Sequence, residues 1–570
     1  MKKLLLATAI SAFVFTGNAS AVPVPTIGAV GAKSVDFSTT TGISKLGVVA
    51  ATAYLDGSSA ANPFVESAII LAAAPNTVIY KYYDSKKAAF TYIFETAATG
   101  FPVGLAASKT YVVHKRDKGG SVTAVLQASP LLANKNQVTF NTTLPAVVGS
   151  FGQVLSSVYP CTQPAKDPLV AVIANCTGTT PVTLAVKPTA AQAVNLSDVD
   201  AIQFASPLNG ATTANSLATL AKTIPSNSIA TQVFGAVVNL KLRNAMQKAM
   251  IASGALPGTC TVGDETEACM ANFTTADMAA LFGQGRLPSW KNFRFGGAAG
   301  QNLVEAQAPA DQPGNSDVHM CSRTAGSGTL ATAQVVFENA PCSINDAIQS
   351  PAALTIVNET GLAGSMKAYH ATTGAGELEN CLETMDGYNV ANSTSGATMV
   401  ANGTFTPLPT FVGTANFRWA VGILNTDRNK NNALPYRFTK IDGFSPSNKN
   451  VAEGKYNFWS ELSLVGTPVP TAANNPLGAV LVALMSDPTT IAKSNVEQTN
   501  FATTGYLATA GKATFDTVIA PGTLISAAYD KSRPVNPFTH ADNLNTAGSV
   551  NHCRVANVLG GKVVALPGLN

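Results

Sequence analysis

The sequence predicts an α/β protein of two or more lobes, built on mixed and mainly parallel sheets. Three observations predict it. Short apolar and β-branched runs alternate with helical patterns, as in strands joined by crossover helices. At 570 residues and 46% hydrophobic content, the chain has ample material for burial but too much length for a single core. Finally, three strand-like runs end in Gly/Ser turns that open into a helical or apolar pattern.

Taken in order, the chain begins with Lys2 and Lys3, an apolar run from Leu4 to Phe15, and the small residues Ala19-Ser20-Ala21. That is the pattern of a secretory signal peptide over residues 1–21. A membrane anchor needs roughly 20 apolar residues, and this run is shorter. The expected location is periplasmic or secreted, with a mature chain starting near Val22. Residues 22–46, rich in Pro, Gly and Thr, read as an extended lead-in.

Leu46 to Leu55 predicts a strand ending in Asp56-Gly57-Ser58-Ser59, and Pro63 to Ala74 predicts a helix with Phe64, Ala68, Ile69 and Leu71 on one face. Tyr111 to His114 predicts a second strand, followed by a basic turn that ends in Gly119-Gly120-Ser121. Val122 to Ala128 then reads as a short helix stopped by Pro130. Val233 to Leu242 predicts a third strand, with a helix from Asn244 to Ala252. Val318 to Cys321 is a short strand opening into Ser322-Arg323-Thr324-Ala325-Gly326-Ser327-Gly328-Thr329 and an apolar run to Phe337. Arg418 to Leu424 and Tyr456 to Val465 read as buried strands. Residues 140–230 and 465–550, rich in Ala, Thr, Asn and Pro, read as insertions or loop-heavy appendages.

Composition excludes several function classes. Charged residues make up 12% of the chain and the net charge is +4, against about 25% charged residues in an average domain. No basic tract is interleaved with aromatics, so nucleic-acid binding is excluded. No later stretch is long enough to span a bilayer. The eight cysteines suit an oxidising compartment. Cys161 with Cys176, and Cys260 with Cys269, are each spaced to staple a loop, whereas Cys321, Cys342, Cys381 and Cys553 allow three pairings. No C-x-x-C or H-E-x-x-H pattern marks a metal site, and no cofactor is expected. The histidines His114, His319, His370, His540 and His552 are scattered and read as surface or satisfied core residues. With no G-x-S-x-G elbow and no Walker loop, the chain reads as a binding protein and not as an enzyme.

The Gly/Ser turns carry the chemistry. A helix N-terminus offers unpaired N–H groups and partial positive charge, so it attracts anions. Glycine permits close backbone approach, and Ser or Thr adds a hydroxyl donor. Asp56-Gly57-Ser58-Ser59, Gly119-Gly120-Ser121 and Gly326-Ser327-Gly328-Thr329 share this plan, with Arg116 before the second and Arg323 beside the third. An arginine fork suits an oxyanion because it donates two parallel hydrogen bonds.

Ser322 to Thr329 resembles the arginine-plus-Gly-Ser-Gly-Thr loop of the phosphate-binding proteins that serve ABC transporters. Four further landmarks follow that family's order: Gln232 to Leu242, Phe273 to Trp290, Trp419 to Ile423, and Ile441-Asp-Gly-Phe-Ser-Pro446 with Tyr456. The resemblance implies a two-lobed, hinged, periplasmic-binding-protein-like fold of type II with loop-rich insertions. It implies a first lobe with an insertion over 47–230, a second lobe over 231–425, and a return to the first lobe with a C-terminal extension over 426–570. Carried over by position, Arg323, Ser327, Gly328 and Thr329 would hold the anion, with Ser58, Ser59 and Ala60 from the first loop and Gly120 and Ser121 from the second; Arg116 joins the candidate ligand residues on its residue type beside the second turn. Asp198 would accept the proton of a protonated oxyanion, since an ionised carboxylate only accepts hydrogen bonds. The implied ligand is phosphate or a related oxyanion, the implied partner an ABC-transporter permease, and the implied state a monomer. The family's Asp two positions after the arginine is Ala325 here. A surface or extracellular structural protein reusing the scaffold is the rival expectation, suggested by the extra length and sparse charge.

Overall fold

The computed structural model describes residues 49–558 and 562–563, apart from 84–88, 98–104, 117–118, 129–160, 163–164, 178–192, 207–208, 210–219, 284–286, 296–301, 315, 343–367, 388–416, 467–468, 510–528 and 542–549. The expected signal peptide and lead-in lie outside the described residues.

The first main elements are β1 (Val49–Gly57), α1 (Asn62–Ala72), β2 (Val78–Tyr83), β3 (Ala89–Glu95), β4 (Thr110–Arg116) and α2 (Val122–Ala128). Next come β5 (Val172–Thr177), β6 (Ala193–Ser197) and the 14-residue β7 (Ser226–Asn239), which runs directly into α3 (Leu240–Ala252). Then follow β8 (His319–Arg323), α4 (Gly328–Glu338), β9 (Ala368–Thr372), α5 (Ala375–Met385), β10 (Ala420–Asn425) and β11 (Tyr436–Phe438). The last are β12 (Trp459–Val465), α6 (Pro476–Ser486), α7 (Pro488–Ser494) and β13 (Tyr506–Thr509).

These strands form one mixed sheet in the order β9-β8-β10-β7-β12-β6-β1-β4-β3-β2-β5. It has two halves, each centred on parallel strands: β1 lies between parallel β4 and β6, and β8 between parallel β9 and β10. β7 joins them. Its residues Ser226 to Val233 pair antiparallel with β12, and Phe234 to Val238 pair with β10. The α/β class with mixed strand pairing is therefore what the structure shows.

Each half has its own core. In the first, Phe64, Val113 and Leu196 pack with Leu477 and Leu481 of α6, and Phe64 stacks on Tyr506 at 4.2 Å. Such an aromatic pair adds about 0.5–1.5 kcal/mol beyond its burial. In the second, Phe234, Phe273, Trp290, Trp419 and Tyr456 share one cluster. The sequence landmarks thus meet in space: Trp290 Nε1 donates to the Trp419 carbonyl at 3.0 Å, the Tyr456 hydroxyl donates to the Phe234 carbonyl at 2.9 Å, and Ile441 pairs with Phe273. A smaller cluster of Val125, Val199, Ala331 and Val465 joins α2 to α4, and so one half to the other.

Cys260 and Cys269 are bonded as expected, and the four open cysteines resolve as Cys321–Cys381 and Cys342–Cys553. Cys161 and Cys176 stand opposite one another in register; their side chains are outside the described residues. His114 bonds Thr91 Oγ1 at 2.9 Å, His319 bonds His370 at 3.1 Å, His540 bonds the Arg554 carbonyl at 2.7 Å, and His552 bonds Asp200 at 3.1 Å. Among the described residues, no helix is long and apolar enough to cross a membrane. No group of three His, Cys, Asp or Glu among them could hold a metal ion.

Two outcomes follow from this packing. Cys342–Cys553 closes a sequence separation of 211 residues, so replacing both cysteines by Ser is expected to lower unfolding stability by about 2–5 kcal/mol, read by denaturant titration. Burial pushes the His114 imidazole down to about 3. Unfolded chains take up a proton near pH 6.5 while the folded protein does not, so this contribution is complete above that pH and is lost on acidification. His114→Gln is expected to shrink the stability loss between pH 7 and pH 5 by about 2 kcal/mol.

Candidate functional site

In open α/β sheets ligands bind beyond the carboxyl ends of parallel strands. Four such ends carry the loops that matter: Ser58 to Ala61 after β1, Gly119 to Ser121 after β4, Asp198 to Asp200 after β6, and Thr324 to Ser327 after β8.

Local chemistry shapes each loop. After β1, the Ser58 hydroxyl accepts the Ala61 N–H at 3.0 Å, and Pro63 lies in the first turn of α1. Ser327 is the N-cap of α4 and accepts from the Leu330 N–H at 3.5 Å. Gly326 has φ +90°, a left-handed conformation that favours glycine. Its carbonyl accepts the Val122 N–H at 3.0 Å, which ties the third loop to the second.

Asp198 is the centre of the assembly and is only 2% exposed. The Ser58 hydroxyl donates to its Oδ1. Its own N–H donates to Ser121 Oγ at 3.3 Å, and its carbonyl accepts from Ser460 Oγ at 2.5 Å. Burial pushes the Asp198 carboxyl up, against the pull of the Ser58 and Ser121 hydroxyls and of the Arg323 and Lys115 charges. Arg323, 4% exposed, reaches across from the other half: its Nη2 donates to Ser59 Oγ at 3.3 Å and to the Thr373 carbonyl at 3.0 Å. Ser327 and Thr329 are buried beside it, and no described residue accepts a hydrogen bond from the N–H of Ser59, Ala60, Gly328 or Thr329.

Of the expected residues, Ser58, Ser59, Ala60, Gly120, Ser121, Asp198, Arg323, Ser327, Gly328 and Thr329 are gathered at this junction. Arg116 is engaged differently. Its Nε and Nη2 donate to the two carboxylate oxygens of Asp56 at 2.8 and 3.0 Å. The cation turned inward at that strand end is Lys115, 1% exposed, whose Nζ donates to the Ser58 carbonyl at 2.9 Å and the Arg116 carbonyl at 3.2 Å. Tyr506 also lies outside the expected set. Its hydroxyl donates to the Ala60 carbonyl at 3.0 Å, and Asp427 Oδ2 is 3.4 Å away. Lys115 belonged to a basic turn visible in the sequence. Tyr506 is 446 positions from Ala60, and no local signal announces it.

The arrangement offers an oxyanion a guanidinium, an ammonium, hydroxyls, N–H groups of two helix starts and one carboxylate acceptor. No protein-family model matches the chain, and no curated protein matches it. Among solved structures, it is similar to a proposed phosphate ABC transporter substrate-binding protein with bound phosphate from Clostridium perfringens, at 10% identity and TM-score 0.34, covering 78% of this chain and 97% of that one. It is also similar to an ABC-type phosphate transport receptor from Vibrio cholerae, at 12% identity and TM-score 0.23, covering 48% and 70%. A third is PstS from Borrelia burgdorferi, at 9% identity and TM-score 0.23, covering 57% and 86%.

Gly328 lets α4 close onto the first half: a Cβ there would lie 2.5 Å from Ser121 Oγ and 2.6 Å from Asp198 Cβ. Gly328→Ala is expected to push the halves apart and to lower stability by about 1–3 kcal/mol in thermal or denaturant unfolding.

Proposed function

We propose that this protein is an exported solute-binding protein that captures a small oxyanion, phosphate or a relative of it, between the two sheet halves, and that it binds its ligand without transforming it. The observation that supports this reading best is the meeting of Arg323, Ser58, Ser121 and Asp198 with two helix starts in one buried junction. Arg323 supplies the fork, the N–H groups of Gly328 and Thr329 supply helix-terminal donors, and the hydroxyls complete the shell. Asp198, as a carboxylate, accepts a hydrogen bond and so favours an oxyanion that still carries a proton.

The two halves contribute to the same shell, so ligand and closure are coupled. Asp198 and Ser58 come from the first half, and Arg323 with the start of α4 from the second. A hinge at Val233 and Phe234 of β7, where its pairing changes partner, would let them separate. An ABC-transporter permease is the partner proposed for the loaded form.

The test is a thermal-shift panel of phosphate, arsenate, sulfate, phosphonates, nucleotides and citrate on the mature protein freed of bound ligand. A ligand at 100 times its Kd is expected to stabilise the fold by about 2.7 kcal/mol. Arg323→Ala is expected to weaken binding about 10–100-fold, as removal of a charged hydrogen-bond partner does. No shift with any anion would overturn the reading and favour a structural role at the cell surface.

A further inference from the structure

Resting on the oxyanion reading above, we infer that Gln232 is a further ligand-contacting residue of the cleft, its carboxamide donating a hydrogen bond to a charged oxygen of the anion and accepting one from a protonated oxygen.

Gln232 lies on β7 immediately before Val233 and Phe234, where the strand changes partner. It is 0% exposed. Among the described residues, neither its Oε1 nor its Nε2 finds a hydrogen-bond partner. A carboxamide both donates and accepts, and burying one with neither bond made is costly. Turning the amide over would not change this, because both of its polar atoms are unpaired.

Register shows which way the side chain points. Gln232 stands opposite Ser460 of β12 on one side and opposite Tyr506 of β13 on the other. Side chains directly opposite in antiparallel strands share a face. On that face Ser460 Oγ donates to the Asp198 carbonyl at 2.5 Å, and the Tyr506 hydroxyl donates to the Ala60 carbonyl at 3.0 Å. Burial pushes the Tyr506 hydroxyl up, and the charges of Asp427 and Asp198 add to it, so this hydroxyl lies within electrostatic reach of the carboxylate in the cleft. Gln232 therefore stands between two side chains that both reach the anion loops. The other face of β7 is engaged elsewhere. Thr231 Oγ1 accepts from Asn536 Nδ2 at 3.1 Å, and Glu461, opposite Thr231, accepts from Thr539 Oγ1 at 2.6 Å.

A protonated oxyanion supplies what this carboxamide lacks: charged oxygens to accept from Nε2 and a hydroxyl to donate to Oε1. A ligand contact and a structural contact differ in what an apolar replacement does. Where the protein itself satisfies the carboxamide, replacing it removes bonds and lowers stability. Where only the ligand does, replacing it relieves an unpaired buried group, so the ligand-free fold holds or gains while affinity falls.

The experiment compares wild type with Gln232→Met and Gln232→Leu, two apolar side chains of similar volume, so that a packing fault of one is recognised. Circular dichroism and thermal unfolding are read on the ligand-free mature protein, and Kd for phosphate and for arsenate is measured by calorimetry. Both variants are expected to fold with an unfolding midpoint at or above that of wild type. Both are expected to bind the two anions about 10–100-fold more weakly, the range for a hydrogen bond to a charged group. If only one variant folds, that one decides. Unchanged affinity, a ligand-free midpoint that falls together with affinity, or failure of both variants to fold would overturn the inference. Wild type that binds neither anion would instead overturn the oxyanion reading itself.

Discussion

Asp198 cannot be buried alone. A carboxylate taken out of water must be met by hydrogen-bond donors or cations, or give up its charge. Here it meets the hydroxyl of Ser58, the charges of Arg323 and Lys115, and the side chain of Ser121. These residues come from the ends of β1, β4 and β8. Meeting the needs of one carboxylate therefore brings three loops onto a fourth. The glycines follow from the same constraint, since Gly328 must come close enough to Asp198 that no Cβ fits between them.

The scaffold that makes this meeting possible is β7. Its 14 residues serve the two halves of the sheet in turn, and the change of partner between Val233 and Phe234 is where one half gives way to the other. Large aromatic residues lock the second half around it: Trp290 and Trp419 are fully buried, and Tyr456 bonds back to Phe234. The C-terminal segment adds a further tie. His552 bonds Asp200 and the Glu461 N–H, and the next residue, Cys553, is bonded to Cys342 beyond the end of α4. Elements near the start, middle and end of the described chain are thereby held at one junction.

What the sequence made legible was local. A strand, a Gly/Ser turn and a helix signal themselves within about fifteen residues, and α2 has the bounds read for it, Val122 to Ala128. The antiparallel pair of β2 and β3 has no counterpart among the sequence expectations, although Val78 to Tyr83 is rich in the β-branched and aromatic residues that strands favour. In 465–550, read as loop-heavy, α6 and α7 each begin with a capping side chain followed by proline, Asn475-Pro476 and Asp487-Pro488. That signal was present but obscured by the surrounding Ala, Thr and Asn. Arginine beside a Gly/Ser turn suits an anion, which makes Arg116 a candidate ligand residue in the sequence. Its partner Asp56 lies 60 positions earlier and meets it only because β1 and β4 run parallel in register. Lys115, its neighbour on the strand, points the opposite way, as period-two alternation requires.

The position two residues after Arg323 carries no acid, and the guanidinium is held by other groups. Ala325 is exposed and takes no part in holding the guanidinium. Register places the substitute: Arg323 of β8 pairs with Thr372 of β9, so the Thr373 carbonyl lies within 3.0 Å of Nη2. Thr373 is in turn held by its N–H bond to Glu377 in the first turn of α5, at 2.6 Å. The other acceptor, Ser59, belongs to the opposite half. The guanidinium is thus held in part by neutral oxygens from both sides of the junction, and its charge acts on Asp198. An aspartate in place of Ala325 would have steadied the arginine within its own half. Part of the hold on Arg323 therefore comes from across the junction, through Ser59.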